Sequence, residues 1–344
     1  MIFVTVNFLD LVHIEVTVPD AERAYQILHN VFGAEKVQEE FAGFLDGEIA
    51  KVIHVGIGDV VLQFIEPLAE GSSWYNQLKT KGAGVHNLTF GVENAEDTAK
   101  EMEKLGGIKP LFTFDLEWGT MIPSEVLNPE AGKVFMMDSM EKLGFHLEFG
   151  DNPIKEEARA MMPQTRYVTG QDKLIGSVSP MMHIELVTSD IGKTYELLQN
   201  TFGSEKVELE FADILDTPFM HIMHVNLSNV VLQYCQPMVK VNTEMGSWYN
   251  LLEKNGTYVH NITFIVNDLE DVVEKFKKEG IEPLFTFNVP WDRLDENMKG
   301  EIKSVYMMNT MDQLGFHMEF GEIPNKEMRN AFSDKLYIDL NTKD

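Results

Sequence analysis

Leu143–Gly150 reads Leu-Gly-Phe-His-Leu-Glu-Phe-Gly, and Leu314–Gly321 reads Leu-Gly-Phe-His-Met-Glu-Phe-Gly. Each copy sets a His and a Glu two residues apart inside a run of aromatic and aliphatic residues. Alternate residues of a β-strand point to the same face, so His146 pairs with Glu148, and His317 with Glu319, on one side of a sheet. Two distant copies of one polar pair point to a duplicated chain with two equivalent sites.

Working outward, the rest of the chain repeats in step. His13-Ile-Glu returns as His183-Ile-Glu, and Val60–Gln63 as Val230–Gln233, both 170 residues later. Ser73–Asn76 returns as Ser247–Asn250 and His86–Phe90 as His260–Phe264, 174 residues later. Pro110–Phe114 returns as Pro283–Phe287 at 173, and Glu148 as Glu319 at 171. A near-constant offset over about 135 residues is a duplication. It divides the chain into halves, 1–172 and 173–344, with the break near Asp172–Ser179, where Gly170 and Gly176 interrupt the pattern. Ile154–Arg159 and Pro324–Arg329 read as short amphipathic helices trailing each half.

Within the first half the elements are legible. Val12–Val18 alternates as a strand. Asp20 opens an amphipathic helix with Ala24, Ile27, Leu28 and Phe32 on one stripe, and Gly33 stops it. Ala50–Ile57 and Val60–Ile65 read as a hairpin closed by Gly58-Asp59. Ser72–Thr80 reads as a short helix. The plan then restarts with a strand over Val85–Val92, a helix from Asn94 through Leu105, and strands near Lys109–Asp115, Val134–Asp138 and Gly144–Phe149. The expectation is an α+β fold of four β-α-β-β-β modules in two tandem halves, each half a curved mixed-sheet cup.

Composition excludes several functions. The 344 residues are 44% hydrophobic, enough for two domains with real cores. Fifty-five acidic against 28 basic residues give a formal net charge of −27, which argues against nucleic acid and anionic membranes as partners. Cys235 is the only cysteine, so no intrachain disulfide forms. No signal peptide or membrane-length apolar run is visible, and a cytoplasmic protein is expected.

A two-residue turn at Gly58-Asp59 places His54 directly opposite Gln63, and the corresponding turn at Ser228-Asn229 places His224 opposite Gln233. Cross-strand partners share a face about 5 Å apart. The residues that repeat in step are therefore His13, His54, Gln63, His86, His146 and Glu148, with His183, His224, Gln233, His260, His317 and Glu319 as mates. These contain eight of the ten histidines. Imidazoles plus one carboxylate on apolar strands form a divalent-metal ligand set. Two His and one Glu suit Fe²⁺ or Mn²⁺, and an added Gln oxygen suits Co²⁺, Zn²⁺, Ni²⁺ or Mg²⁺.

His-Ile-Glu opening a module, Gln in the second hairpin strand, Val-His-Asn-x-Thr-Phe opening the next module and Glu in its last strand resemble the vicinal oxygen chelate superfamily. That superfamily holds glyoxalase I, methylmalonyl-CoA epimerase, extradiol dioxygenases and 4-hydroxyphenylpyruvate dioxygenase. The resemblance implies metal ligands at His13, Gln63, His86 and Glu148, and at His183, Gln233, His260 and Glu319. Glyoxalase I usually has Glu where this chain has Gln63 and Gln233, so the ligand pattern is nearest to the epimerase. Dioxygenases of the family typically keep the set in the C-terminal half alone, whereas both halves keep it here. A CoA substrate finds little support in a chain with five arginines.

Three functions follow as expectations. The first is a divalent-metal-dependent enzyme without an organic cofactor. It chelates vicinal oxygens of a small organic substrate and moves a proton α to a carbonyl, as an epimerase, isomerase or lyase. His54, His224, Glu148 and Glu319 are its catalytic candidates. The second is an Fe(II) or Mn(II) dioxygenase of the extradiol or hydroxyphenylpyruvate type. The third is a non-catalytic ligand-binding protein. Glu15 and Glu185 read either as supports of a ligand or as bases, and His146 and His317 either as cavity wall or as supports. Trp74, Tyr75, Trp248 and Tyr249 read as packing under the cup. Trp118 and Trp291 sit in the longer loops Leu116–Ser124 and Val289–Lys303, which are candidate lids. Met136-Met137 and Met307-Met308 read as core. Modules pair either within each half or by exchange, linear proximity favouring the former, and a homodimer is a candidate assembly.

Overall fold

The computed structural model describes residues 5–37, 47–116, 128, 132–153, 175–207, 217–240, 247–290 and 302–322. The first helix shows how closely local chemistry sets the elements. Asp20 accepts a hydrogen bond from Arg23 N at 2.9 Å, and Gly33 closes the helix in the left-handed region at φ 75°. Between them α1 (Ala21–Phe32) buries Ala24, Ile27, Leu28, Val31 and Phe32. Ser72, Asn94, Asp190 and Asp268 cap their helices in the same way, through a side-chain oxygen and the third amide beyond.

In the first half, β1 (Leu11–Thr17) is followed by α1, β2 (Glu35–Lys36), β3 (Ala50–Ile57), β4 (Val60–Pro67) and α2 (Ser73–Thr80). Then come β5 (Gly84–Val92), α3 (Ala95–Gly106), β6 (Pro110–Asp115), β7 (Lys133–Met137), α4 (Met140–Leu143) and β8 (His146–Asp151). The second half repeats this as β9 (His183–Val187), α5 (Ile191–Phe202), β10 (Met220–Leu227), β11 (Val230–Pro237), α6 (Ser247–Asn255) and β12 (Tyr258–Ile265). It closes with α7 (Leu269–Lys278), β13 (Pro283–Pro290), β14 (Ile302–Met308), α8 (Met311–Leu314) and β15 (His317–Gly321).

The sheets run β2-β3-β4-β1-β5-β8-β7-β6 and β10-β11-β9-β12-β15-β14-β13. In each, the first strands of two modules meet antiparallel, β1 on β5 and β9 on β12, so the modules pair within a half. This is the α+β architecture of tandem modules that the repeat implies. Of the break near Asp172–Ser179 the described residues include only 175–179, and the two trailing helices, Trp118 and Trp291 lie outside them. Of the candidate lids, Val289–Pro290 and Ile302–Lys303 belong to strands, so the second loop is shorter than the sequence reading has it. The short helices α4 and α8 also escape that reading. Each ends on a left-handed glycine, Gly144 or Gly315, which delays the closing strand to His146 or His317.

The two halves sit back to back around one apolar core. Phe32 of α1 lies 5.7 Å from Phe276 and 5.2 Å from Phe320, and Phe8 lies 5.3 Å from Phe202. Arg23 on α1 donates to Glu279 Oε2 at 2.6 Å and to the Glu279 carbonyl at 2.8 Å. The hairpin turns hook each half to the other. Asp59 Oδ1 accepts from Met181 N at 2.7 Å, and Asn229 Oδ1 accepts from Leu11 N at 2.9 Å. Ser228, at φ 53°, donates to the Leu9 carbonyl at 2.7 Å. Both turns therefore pin the entry to the first strand of the opposite half.

Gly58 has φ +56°, and a Cβ there would stand 2.4 Å from the Ser179 carbonyl oxygen. Gly58→Ala is expected to lower unfolding free energy by about 2 kcal/mol, from the strained conformation and the lost docking together. Urea unfolding with matched slopes checks this, and an unchanged midpoint would mean that the turn is not held against the second half.

Candidate metal and substrate site

Sheet register builds the site as two rows of side chains across the concave face. One row runs His54, Gln63, Glu15, Asn87 and His146, each the lateral neighbour of the next. The other runs His13, Thr89 and Glu148. The second half repeats both rows, as His224, Gln233, Glu185, Asn261 and His317, and as His183, Thr263 and Glu319. The hairpin pairs His54 with Gln63 and His224 with Gln233 thus form as the turn arithmetic requires.

His86 belongs to neither row. In β5, Asn87 pairs with Glu15 and Val85 with Val16, so His86 is the extra residue of a bulge. In an unbroken strand His86 would share the face of Leu88 and Phe90, which are core. The bulge turns it onto the concave face instead. Its Nδ1 lies 2.8 Å from Glu15 Oε1 and 2.8 Å from Asn87 Oδ1. His260 does the same, 3.2 Å from Glu185 Oε1 and 2.7 Å from Asn261 Oδ1.

The hydrogen bonds join these groups into one network in each half. Trp74 Nε1 donates to Glu15 at 2.5 Å, and Trp248 Nε1 donates to Glu185 at 2.5 Å. Asn87 Nδ2 donates to Thr89 Oγ1 at 2.9 Å, and Thr89 Oγ1 donates to Glu148 Oε1 at 3.1 Å. His13 Nε2 meets the same hydroxyl at 3.0 Å. With the hydroxyl hydrogen on Glu148, His13 must donate, which assigns its proton to Nε2. The second half has matching contacts, Asn261 to Thr263 at 3.2 Å, Thr263 to Glu319 at 3.3 Å and His183 to Thr263 at 2.9 Å. His54 and Gln63 touch through Nε2 atoms at 2.7 Å, and His224 Nε2 meets Gln233 Oε1 at 2.7 Å. Gln233 Nε2 also donates to Glu185.

Burial sets the charges. Desolvation, with His224 nearby, pushes the His183 imidazole down to about 3, and burial pushes His224 down to about 4. Burial and the neighbouring His86 lower His146 to about 4, and burial and His260 lower His317 to about 3. Burial and the charge of Glu185 push the Glu319 carboxyl well above the usual range. Burial opposes ionisation of Glu185 as well, but the hydrogen bonds from His260 and Trp248 hold it low.

A cavity of about 560 Å³ opens on the first-half cup. His13, Glu15, Gln63, Thr89 and Glu148 line its floor, Trp74 and Asn76 one side, and Phe112, Phe114 and Val134 another. His54, His86 and His146 are not among the lining residues. His146 stands behind His86, with ring centroids 5.1 Å apart, and its Nδ1 contacts the Met137 carbonyl at 3.1 Å. Trp74 both lines the cavity and holds Glu15, so it does more than the packing expected of it. Asn87, Thr89 and their mates were missed as site residues. Their only signal was the repeat itself, within His-Asn-x-Thr-Phe.

The donor set suits a divalent cation in kind. Nδ1 of His86 faces two acceptors and so carries the proton, which leaves Nε2 with its lone pair. That nitrogen is buried and has no hydrogen-bond partner. An imidazole fixed by a carboxylate at one nitrogen and free at the other is the usual state of a metal-ligating histidine. Among the described residues, no three His, Cys, Asp or Glu side chains already converge as a metal site. The chain thus presents its donors as a hydrogen-bonded lattice, with His13 and Glu148 bridged by Thr89.

Residues 12–111 match the family described as Glyoxalase/Bleomycin resistance protein/Dioxygenase superfamily, so the first half carries a domain of the vicinal oxygen chelate superfamily. The fold likeness extends over the whole chain. A triple mutant of 4-hydroxymandelate synthase from Streptomyces coelicolor superposes with a TM-score of 0.57 at 12% identity, covering 96% of this chain and 99% of that one. The Mn(II)-bound glyoxalase from Novosphingobium aromaticivorans gives 0.52 at 11% identity, covering 92% and 82%. A xylose isomerase-like TIM barrel/4-hydroxyphenylpyruvate dioxygenase fusion protein gives 0.51 at 12%, covering 99% and 54%. No curated protein sequence matches the chain. No helix among the described residues is long and apolar enough to cross a membrane.

Two outcomes are expected. Thr89→Val cuts the bridge between His13 and Glu148 and should weaken metal binding by about 10- to 100-fold, while Thr89→Ser restores it. Calorimetric titration with Mn²⁺ reads this, and equal losses in both variants would contradict it. The metal-free protein should also lose stability in acid. His146, His183, His224 and His317 titrate lower in the folded chain than the roughly 6.5 of an unfolded one. Their contribution is therefore complete above about pH 6.5 and lost as pH falls toward their folded values. Glu319 works the other way but is one group against four. Urea midpoints at pH 7 and pH 5 check the sign, and a midpoint that rises at pH 5 refutes it.

Proposed function

We propose that this protein is a divalent-metal-dependent enzyme that binds adjacent oxygens of a small organic substrate in the first-half cup. The observation that carries this reading is His86. Its Nδ1 is pinned to the buried Glu15 and its Nε2 is left without a partner, beside a cavity whose floor holds His13, Gln63 and Glu148. In this reading His13, Gln63, His86 and Glu148 hold the cation, and His183, Gln233, His260 and Glu319 form the matching set. Fe²⁺, Mn²⁺, Co²⁺, Zn²⁺, Ni²⁺ and Mg²⁺ all remain candidates, and the Mn(II)-bound neighbour makes Mn²⁺ the first to test.

When bound, such a cation acts as a Lewis acid on a carbonyl oxygen and lowers the acidity barrier at the adjacent carbon. The chain's own groups do the rest. Glu148 lines the cavity and accepts from Thr89, so its carboxylate is placed to take a proton α to the carbonyl. His54 does not line the cavity but contacts Gln63, which does, and serves better to orient that amide. Glu15, held by Trp74 and His86, orients the imidazole and is a support rather than a base. Phe112, Phe114 and Val134 keep bulk water from the floor. Epimerisation, isomerisation and lyase chemistry share this proton step.

A second reading, a ring-cleaving or 2-oxo acid dioxygenase, rests on the full-length fold likeness to 4-hydroxymandelate synthase. Oxygen separates the two, because proton transfer at carbon runs anaerobically.

Metal analysis of protein purified without oxygen tests the site. Glu148→Gln is expected to lower metal content by about one equivalent and to abolish solvent deuterium exchange into a bound ketone. His86→Ala is expected to do the same. Full metal content in both variants would remove the assignment.

A further inference from the structure

We infer that the first-half cavity selects an uncharged small molecule with an apolar body over an anion of the same shape. The inference rests on the proposed function only in taking this cavity as the substrate pocket. It names the substrate class from the charges on the wall.

Among the described residues, those lining the cavity include Glu15, Glu148 and Asp151 but no Lys and no Arg. Neutral donors are already engaged at the floor. Trp74 Nε1 is bound to Glu15, and the His13 and Thr89 hydrogens go to Thr89 and Glu148. Asp151 is held in place by Ala95 N at 2.6 Å. An entering carboxylate, phosphate or sulfonate therefore meets the Glu15 and Glu148 carboxylates at the floor and, among the described residues, no cation of the wall. A divalent cation at the floor would add two positive charges, which the Glu15 and Glu148 carboxylates balance. The mouth has the opposite preference. Ile49 is 38% and Leu111 44% exposed, both line the cavity, and among the described residues they rank with the few large apolar side chains left open to solvent. Apolar mouth, aromatic walls and an acidic floor admit a neutral ketone, diketone or phenol, and repel a free acid or an acyl thioester carrying phosphates.

The test is a matched pair with the same vicinal oxygens, 1-phenylpropane-1,2-dione and phenylglyoxylate, titrated calorimetrically into metal-free and Mn²⁺-loaded full-length protein. The dione is expected to bind at least about tenfold tighter than the acid in both forms. Leu111→Arg, at an exposed position that folding tolerates, should shift that ratio several-fold toward the acid, and Asp151→Asn should shift it the same way. Equal or tighter binding of phenylglyoxylate overturns the inference, as does absence of binding by either compound, or a ratio that neither variant moves. The two readings fail separately. Selective dione binding without turnover by any metal form defeats the enzymatic reading and leaves this one, whereas turnover of a 2-oxo acid does the reverse.

Discussion

The antiparallel seam where β1 meets β5, with its one-residue bulge at His86, is the constraint on which the rest depends. The seam joins two modules into one sheet and sets the lateral order of every polar side chain on the concave face. Without the bulge, the residue that follows Val85 would point into the core with Leu88 and Phe90. With it, Asn87 and Thr89 take the places opposite Glu15 and His13, and His86 is delivered to the Glu15 carboxylate. The second half repeats the bulge at His260, between Val259 and Asn261. Such a repeat is hard to explain as a packing accident, since a bulge leaves one residue outside the ladder.

Burying so many polar groups is tolerable because most of their atoms find partners, with His86 Nε2 left out of the network. Glu15 lies 2% exposed and His86 1% exposed, and they meet each other, Trp74 and Asn87. Thr89 joins the two rows by accepting from Asn87 and His13 while donating to Glu148. Stability and chemistry are thereby coupled. The same contacts that compensate for desolvation also fix which nitrogen of each imidazole carries its proton, and so which lone pair is available.

The back-to-back arrangement explains why both halves keep their cups. The convex faces are spent on a common core, and each hairpin turn secures the first strand of the opposite half. The concave face of the first half is left to line a cavity. In the first half the result is an acidic floor beneath aromatic walls, a charge arrangement that neither the superfamily nor the net charge of the chain specifies by itself.

The sequence alone determined the duplication, the module order, the helix caps and the His54–Gln63 pairing, because those follow from short-range rules. Strand alternation, capping side chains and two-residue turns depend on residues a few positions apart, so Asp20, Gly33 and Gly58-Asp59 announce their roles directly. It also singled out His13, His86, Glu148 and their mates, since polar residues on apolar strands stand out. Only the tertiary structure decided that modules pair within a half, that Asn87 and Thr89 bridge the rows, and that Trp74 holds Glu15. Those outcomes depend on the register between strands distant in the chain. A one-residue bulge reverses which face a side chain takes, and a lone sequence carries no mark of where the ladder slips.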